Sequence, residues 1–362
     1  MTFILAIIMS IGLLSSSDDN KRFEHKVYFE KTDHELNVFK IHGRKSGPTL
    51  MIMGGIHGDE PGGYISADMY ADVRLKKGNI IVVPRANFLS IVKNKRQIND
   101  DENRRFDKSK PEMYEDEVVT VLKGLIDESD FLLNLHEGSG FYSPVYVDDM
   151  HNPNRFGQSI IADTDVYHSP KCDCDLRLQD MAEKVIEAVN ENIEEPEYRF
   201  SFSNHNTASK DSTHAGQKES ATYYALYTAG IPAFGVETSK NIDDLELKIE
   251  MHTMVINEFM AQMGIELENP SVNVAPPILK YMLVKVNGRY RLLTGKDTLY
   301  VPRKAQIKIK IVETNYPRGI TADVLGLGTA NDVGKLLTVT KSTKIVVKKD
   351  SQVIAEIPVK IK

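Results

Sequence analysis

Cysteine is scarce. Cys172 and Cys174 in "KCDCD" are the two in 362 residues. Cysteines at i and i+2 rarely meet disulfide geometry, and no second pair exists to complete a thiolate metal site, so neither residue is assigned a role. Long apolar runs are missing too. No segment approaches the ~20 consecutive apolar residues of a membrane-spanning helix, so no stable span is expected in the mature protein. Internal repeats and low-complexity tracts are absent, which removes solenoids and polar linkers from consideration. What remains is 41% hydrophobic and 27% charged. That composition excludes disordered and collagen-like chains, and the length suffices for one large core plus a smaller module.

Two asymmetries stand out. The N-terminus, "MTFILAIIMSIGLLSSSDDNKRF", carries an apolar stretch of 12 from Phe3 to Leu14, followed by Ser15, Ser16 and Ser17. It is too short to span a bilayer and fits the apolar region of a signal peptide over 1–17, although no Lys or Arg precedes it. Export to the periplasm is the expectation, with a buried N-terminal strand or helix as the alternative. The second asymmetry is charge. From Ser271 to Lys362 there are 17 Lys and Arg against 6 Asp and Glu, in a chain whose net charge is -6. A basic tail on an acidic body either meets an anionic surface or is a β-module whose lysines protect its edges. No nucleic-acid partner is expected.

Along the chain, "HKVYFE" (25–30), "LNVFKIHG" (36–43) and "TLMIMGG" (49–55) read as strands. A helix follows over 62–77, then a strand over 79–86. The amphipathic segment 112–128 reads as a helix and "DFLLNLH" (130–136) as a strand. Helices are expected over 175–193, 219–230 and 243–263, with "IPAFGVE" (231–237) a strand. Alternation of strands and helices implies an α/β fold with a mainly parallel sheet flanked by helices. "NPSVNVAPP" (269–277) breaks the pattern and divides a catalytic region, 18–268, from 269–362. Beyond it the period becomes two, with an Asn-Gly hairpin turn at Asn287-Gly288, giving a small all-β domain.

The chemistry concentrates in "GGIHGDEPGG" (54–63), directly after an apolar strand. Ligands of parallel sheets bind beyond the carboxyl ends of the strands. His57 and Glu60 lie just past one such end, and His136 lies at the end of another. Two imidazoles and a carboxylate with an open fourth position form the catalytic zinc pattern, so Zn2+ is the expected cofactor. Between them, "RQINDDENRRF" offers Arg96, Asn103 and Arg104, suited to holding a substrate carboxylate and polarising a carbonyl. His205, in a polar loop, is a candidate for the border of the cleft.

The order HxxE, R(x6)NR, a strand-end His and a late Glu resembles the zinc carboxypeptidase superfamily, which includes the aspartoacylase and succinylglutamate desuccinylase deacylases. The resemblance implies His57, Glu60 and His136 as metal ligands, Asn103 and Arg104 as the clamp on the terminal carboxylate, Arg96 as the carbonyl-polarising group, and Glu237 in "FGVETSK" as general base. "GGIHGDEPGG", "NRRF" and "SPVYVDDMHNPNRFG" are similar to the helical cell-shape-determining carboxypeptidases of curved bacteria. That likeness implies a D,L-carboxypeptidase trimming peptidoglycan stem peptides, removing meso-diaminopimelate from a muramyl tripeptide. Some members of that family carry Gln at the first ligand position, where this chain has His57, and the β-region here is shorter. Asp148 and Asp149 are candidates to meet the second ammonium of diaminopimelate, and Arg155 its second carboxylate. Two other readings compete: a cytosolic zinc deacylase, and a non-catalytic wall-binding protein. Oligomeric state is not legible.

Overall fold

The computed structural model describes residues 22–268 and 276–362. The expected leader over 1–17 and most of the expected linker lie outside the described residues. Five strands come first: β1 (Phe23–Tyr28), β2 (Leu36–His42), β3 (Lys45–Gly54), β4 (Leu75–Val83) and β5 (Phe131–Gly138). They join Ser159–Ala162, Ser201–Asn204 and Ala233–Ser239 in one sheet. The order is β1, β2, β4, β3, β5, Ala233–Ser239, Ser159–Ala162, Ser201–Asn204. β4, β3, β5 and Ala233–Ser239 run parallel to one another, while β2 on one side and Ser159–Ala162 with Ser201–Asn204 on the other run the opposite way. The fold is thus mixed α/β with a parallel centre, as the alternating pattern predicts.

Central strands are buried on both faces, which is why they read as unbroken apolar runs. In β3, Leu50 and Ile52 join one hydrophobic cluster while Met51 and Met53 join the other. Ile80 and Val82 of β4 divide from Ile81 and Val83 in the same way. The first face is covered by α1 (Pro61–Tyr70), α4 (Leu178–Asn190) and the helix Leu245–Met263; the second is covered by α3 (Tyr114–Asp127). In α3, Val118, Val119, Leu122, Leu125 and Ile126 form the buried stripe of an amphipathic helix.

Three local expectations are corrected. The helix expected over 62–77 stops at Tyr70, and Leu75 to Lys77 belong to β4. Leu75 fits either period, and pairing with Glu266–Leu267 and with β3 decides it. The segment 219–230 is a single α turn, Ala221–Tyr223, running into a π turn, where the Ala229 amide donates to the Tyr224 carbonyl. Cys172 and Cys174 form a disulfide. They sit on a tight hairpin in which Asp173 adopts a left-handed conformation (φ 51°), bringing their Cα atoms to 5.2 Å, within disulfide range.

The C-terminal residues form two four-stranded sheets around their own apolar cluster, from Met282 to Val359. Asn287 and Gly288 form the expected turn, both with positive φ (45° and 87°), as a two-residue hairpin of this type requires. This module docks through charge. Arg85 lies between Asp350, at 2.6 Å, and Asp68, at 2.9 Å, all three buried. Arg318 reaches back from the module to Asp68 (2.6 Å) and Asp72 (2.9 Å). Asp350 occupies the tip of the last hairpin with φ 54°, a conformation Asp tolerates better than most residues. Burial opposes the Arg85 charge, but the two carboxylates outweigh it and hold its pKa well above the ordinary value. No helix among the described residues is long and apolar enough to cross a membrane.

Candidate active site

The site begins where β3 ends. Gly55 turns the chain with φ 69°. At Gly58 a Cβ would lie 2.1 Å from the backbone of Ser90, so only glycine lets the loop pass this closely. The Gly58 amide donates to the Lys95 carbonyl, and the Ala86 and Asn87 amides donate to the carbonyls of Gly54 and Gly55. Glu60 is the N-cap of α1, with Pro61 in the first helical turn, yet its carboxylate makes no capping bond. It faces inward instead. Behind the loop, Lys248 bonds Glu137 (2.7 Å), whose other oxygen accepts the Gly62 amide, a buried pair tying α1 to the end of β5.

His57, Glu60 and His136 converge, with one donor atom from each lying within 4.8 Å of the others. His57 Nδ1 is 3.0 Å from Glu60, and His136 Nδ1 is 2.9 Å from Glu60 and 3.1 Å from His57 Nδ1. All three side chains are buried. Asp101 meets the other ring nitrogen of His57 at 3.0 Å, the carboxylate–histidine arrangement that orients a metal-ligating imidazole. Two imidazoles and one carboxylate, so oriented, match a zinc donor set. The charges are strongly coupled. Burial works against a charged His57, but Glu60 and Asp101 outweigh it and raise its pKa to about 9. Burial disfavours an ionised Glu60 as well, yet the two histidines hold its pKa well below the carboxylate range.

Glu237 enters from the neighbouring strand. It is the cross-strand partner of His136 in the parallel pairing of β5 with Ala233–Ser239. Burial and the negative charge of Glu60 raise its pKa to about 8. A carboxyl group at this register, beside the metal donor set, is placed to take up and release a proton.

The remaining side of the cleft comes from the segment after α2 (Phe88–Lys93). Arg96 donates to Asp101 at 2.9 Å and approaches Glu60 at 3.4 Å. Asn103 and Arg104 sit in a 3-10 turn capped by Asp101. The Asn103 oxygen accepts the Ala221 amide at 3.0 Å, and Arg104 donates to the Asn103 carbonyl at 2.8 Å. His57, Glu60, His136, Arg96, Asn103, Arg104 and Glu237 all line one cavity of about 370 Å³.

Asp148, Asp149 and Arg155 do not line that cavity. Asp148 accepts the Met150 and His151 amides and the His151 ring, all at 2.8 Å. Asp149 accepts the Tyr146 hydroxyl, and Arg155 donates to the Asp149 carbonyl at 2.7 Å. Arg155 reaches the rim only through Ser139, 3.5 Å away. Sequence reasoning missed Asp101, Lys240 and Asn134. Lys240, three residues after Glu237, bonds Asp59 at 2.7 Å and approaches Glu60 at 3.6 Å. The "SK" after Glu237 is part of the family resemblance, but nothing in it assigns the lysine a partner. Asn134 did offer one, lying two residues before His136 and therefore on the same face of β5. His205 lines the cavity.

A family model for the catalytic part of carboxypeptidases controlling helical cell shape matches residues 23–284. Among solved structures, the tripeptide-bound cell-shape determinant Csd4 of Helicobacter pylori is similar at 20% identity, over 90% of this chain and 100% of that one, with a TM-score of 0.60. The mDAP-bound form of Csd4, described as a D,L-carboxypeptidase, is similar at 21% identity, over 87% of this chain and 97% of that one, with a TM-score of 0.56. No curated protein matches the chain. At such identities the structures speak for the fold, and the family model, spanning most of the chain with every residue of the cleft, speaks for descent: this chain belongs to the family of carboxypeptidases that control helical cell shape.

Proposed function

We propose that the protein is an exported zinc carboxypeptidase that trims peptidoglycan stem peptides, removing meso-diaminopimelate from a muramyl tripeptide to leave a dipeptide, with a role in cell shape. One observation carries this reading: a three-residue metal donor set, a cross-strand carboxylate and a guanidinium-amide clamp share one cavity. His57, Glu60 and His136 would hold the ion. Zinc in such a site supplies a Lewis acid for the scissile carbonyl and acidifies water toward a pKa of about 7.

The chain's own groups do the rest. Arg104 and Asn103 grip the terminal carboxylate, which confines cleavage to the last bond. Arg96 faces the carbonyl oxygen and stabilises the charge that develops on it. Glu237 accepts the proton of the attacking water and passes it to the departing amine. The exposed Cys172–Cys174 disulfide supports an oxidising compartment, and hence export.

The test is incubation of the purified protein with muramyl tripeptide and mass spectrometry of the products. Loss of diaminopimelate, abolished by a chelator and restored by zinc, is the expected result. Cleavage of N-acyl amino acids in its place, or turnover indifferent to chelation, would overturn the reading.

A further inference from the structure

The cavity continues below the metal donor set. Asn134 lies one strand repeat beneath His136, about 7 Å along β5. Its cross-strand partner is Gly235, as Glu237 is the partner of His136. Asn134 and Gly235 thus form the lower storey of the wall whose upper storey is catalytic, and both line the cavity. Asn134 is 1% exposed, and neither its amide nitrogen nor its oxygen has a hydrogen-bond partner. A buried amide with nothing to bond is costly, and proteins rarely keep one without a use. Gly235 leaves room beside it: a Cβ there would meet only the Ile161 side chain, at 3.7 Å.

We infer that Asn134 is a specificity-determining residue that reads the far end of the leaving residue's side chain, selecting one that carries both a hydrogen-bond donor and an acceptor. The inference rests on the carboxypeptidase reading above. An amide offers two donors and an acceptor at one point. An ammonium alone satisfies its oxygen, a carboxylate alone its nitrogen, and a methyl group neither. A second amino-acid head on a three-methylene spacer satisfies both. Arg104 and Asn134 line the same cavity, so one leaving residue can meet the clamp and the lower storey together. Gly235 keeps the passage open.

The experiment compares wild type, Asn134→Leu and Gly235→Val, as full-length zinc-loaded proteins, on three γ-glutamyl peptides ending in diaminopimelate, lysine or alanine. Wild type is expected to prefer them in that order. Asn134→Leu keeps the branched shape and the number of heavy atoms but removes both polar atoms. It should cut the ratio of kcat/KM for diaminopimelate over alanine at least about tenfold, while the melting temperature holds or rises. Gly235→Val should lower the same ratio by filling the passage. An unchanged ratio in Asn134→Leu overturns the inference while the carboxypeptidase reading stands. Failure of wild type to cleave any of the peptides overturns both. If Asn134→Leu does not fold, Asn134→Ala is read in its place: the same fall in the ratio is expected, and an unchanged ratio overturns the inference.

Discussion

The cleft and the inter-module seam both bury charged and polar groups, and they treat them in opposite ways. At the seam, Arg85, Asp68, Asp350 and Arg318 answer one another at hydrogen-bond distance. In and around the cleft, atoms of Asn134, Asp59, Asp163 and His205 are buried without a partner. So are both carboxylate oxygens of Glu102, the first residue of the turn that also carries Asn103 and Arg104. Among the described residues, the C-terminal module contributes a single such atom, on Thr321. A satisfied network rigidifies; an unsatisfied one waits for a ligand. The seam is where the molecule secures its shape, and the cleft is where it gives up stability for chemistry.

That contrast is breakable at either end. The largest effect belongs to the cleft. Glu237→Gln keeps shape and removes the proposed proton acceptor, so kcat/KM on muramyl tripeptide should fall roughly 10²–10⁴-fold. Its thermal unfolding should stay near that of wild type, because Glu237 holds no part of the fold together. A large loss of stability with only a small loss of turnover would erase the distinction between the two regions.

At the seam the order of effects reverses. Asp350→Ala leaves Arg85 with one partner in place of two and a buried charge less well answered. Removing one member of a buried ion pair costs about 3–5 kcal/mol, to be read by denaturant titration. Catalysis should change little in whatever fraction stays folded. A cost near zero would mean that water reaches the pair.

The smallest effect is the sharpest in pH. Burial opposes a charged Asp68, but the Arg85 and Arg318 guanidiniums hold its pKa below the ordinary carboxylate range. Its stabilising contribution is therefore complete above the unfolded value of about 3.9 and is lost as pH falls toward the folded one. Wild type should lose denaturant resistance below about pH 4, and Asp68→Asn should flatten that slope. An identical slope in the variant would assign acid sensitivity to other carboxylates.

Much of this was legible in the chain. The strands appeared because central parallel strands are apolar on both faces, and the module appeared because its period switches to two. His57, Glu60 and His136 were readable from glycine-rich bends at strand ends. Glu237 was not readable locally; its place beside His136 is a matter of register, which a single strand does not disclose. The end of α1 was misplaced because Leu75 fits two periods, and sheet pairing chose between them. The Cys172–Cys174 bridge was missed because spacing alone does not reveal that Asp173 folds the chain back on itself. Asn134 was marked only by its place two residues before His136; that its amide has no partner is a fact of three dimensions.

The hairpin tip at Asp350 has a final consequence. It grips Arg85, and the two residues after Arg85 carry the amides that hold Gly54 and Gly55, at the root of the loop bearing His57. The appended β-structure thus braces, through Arg85, the strand end from which that loop springs. Cutting the chain near residue 270 would take from Arg85 one of its two carboxylate partners, leaving Asp68 alone to answer it. A graft of this module onto another body would have to bring with it an acceptor for Asp350 and Arg318.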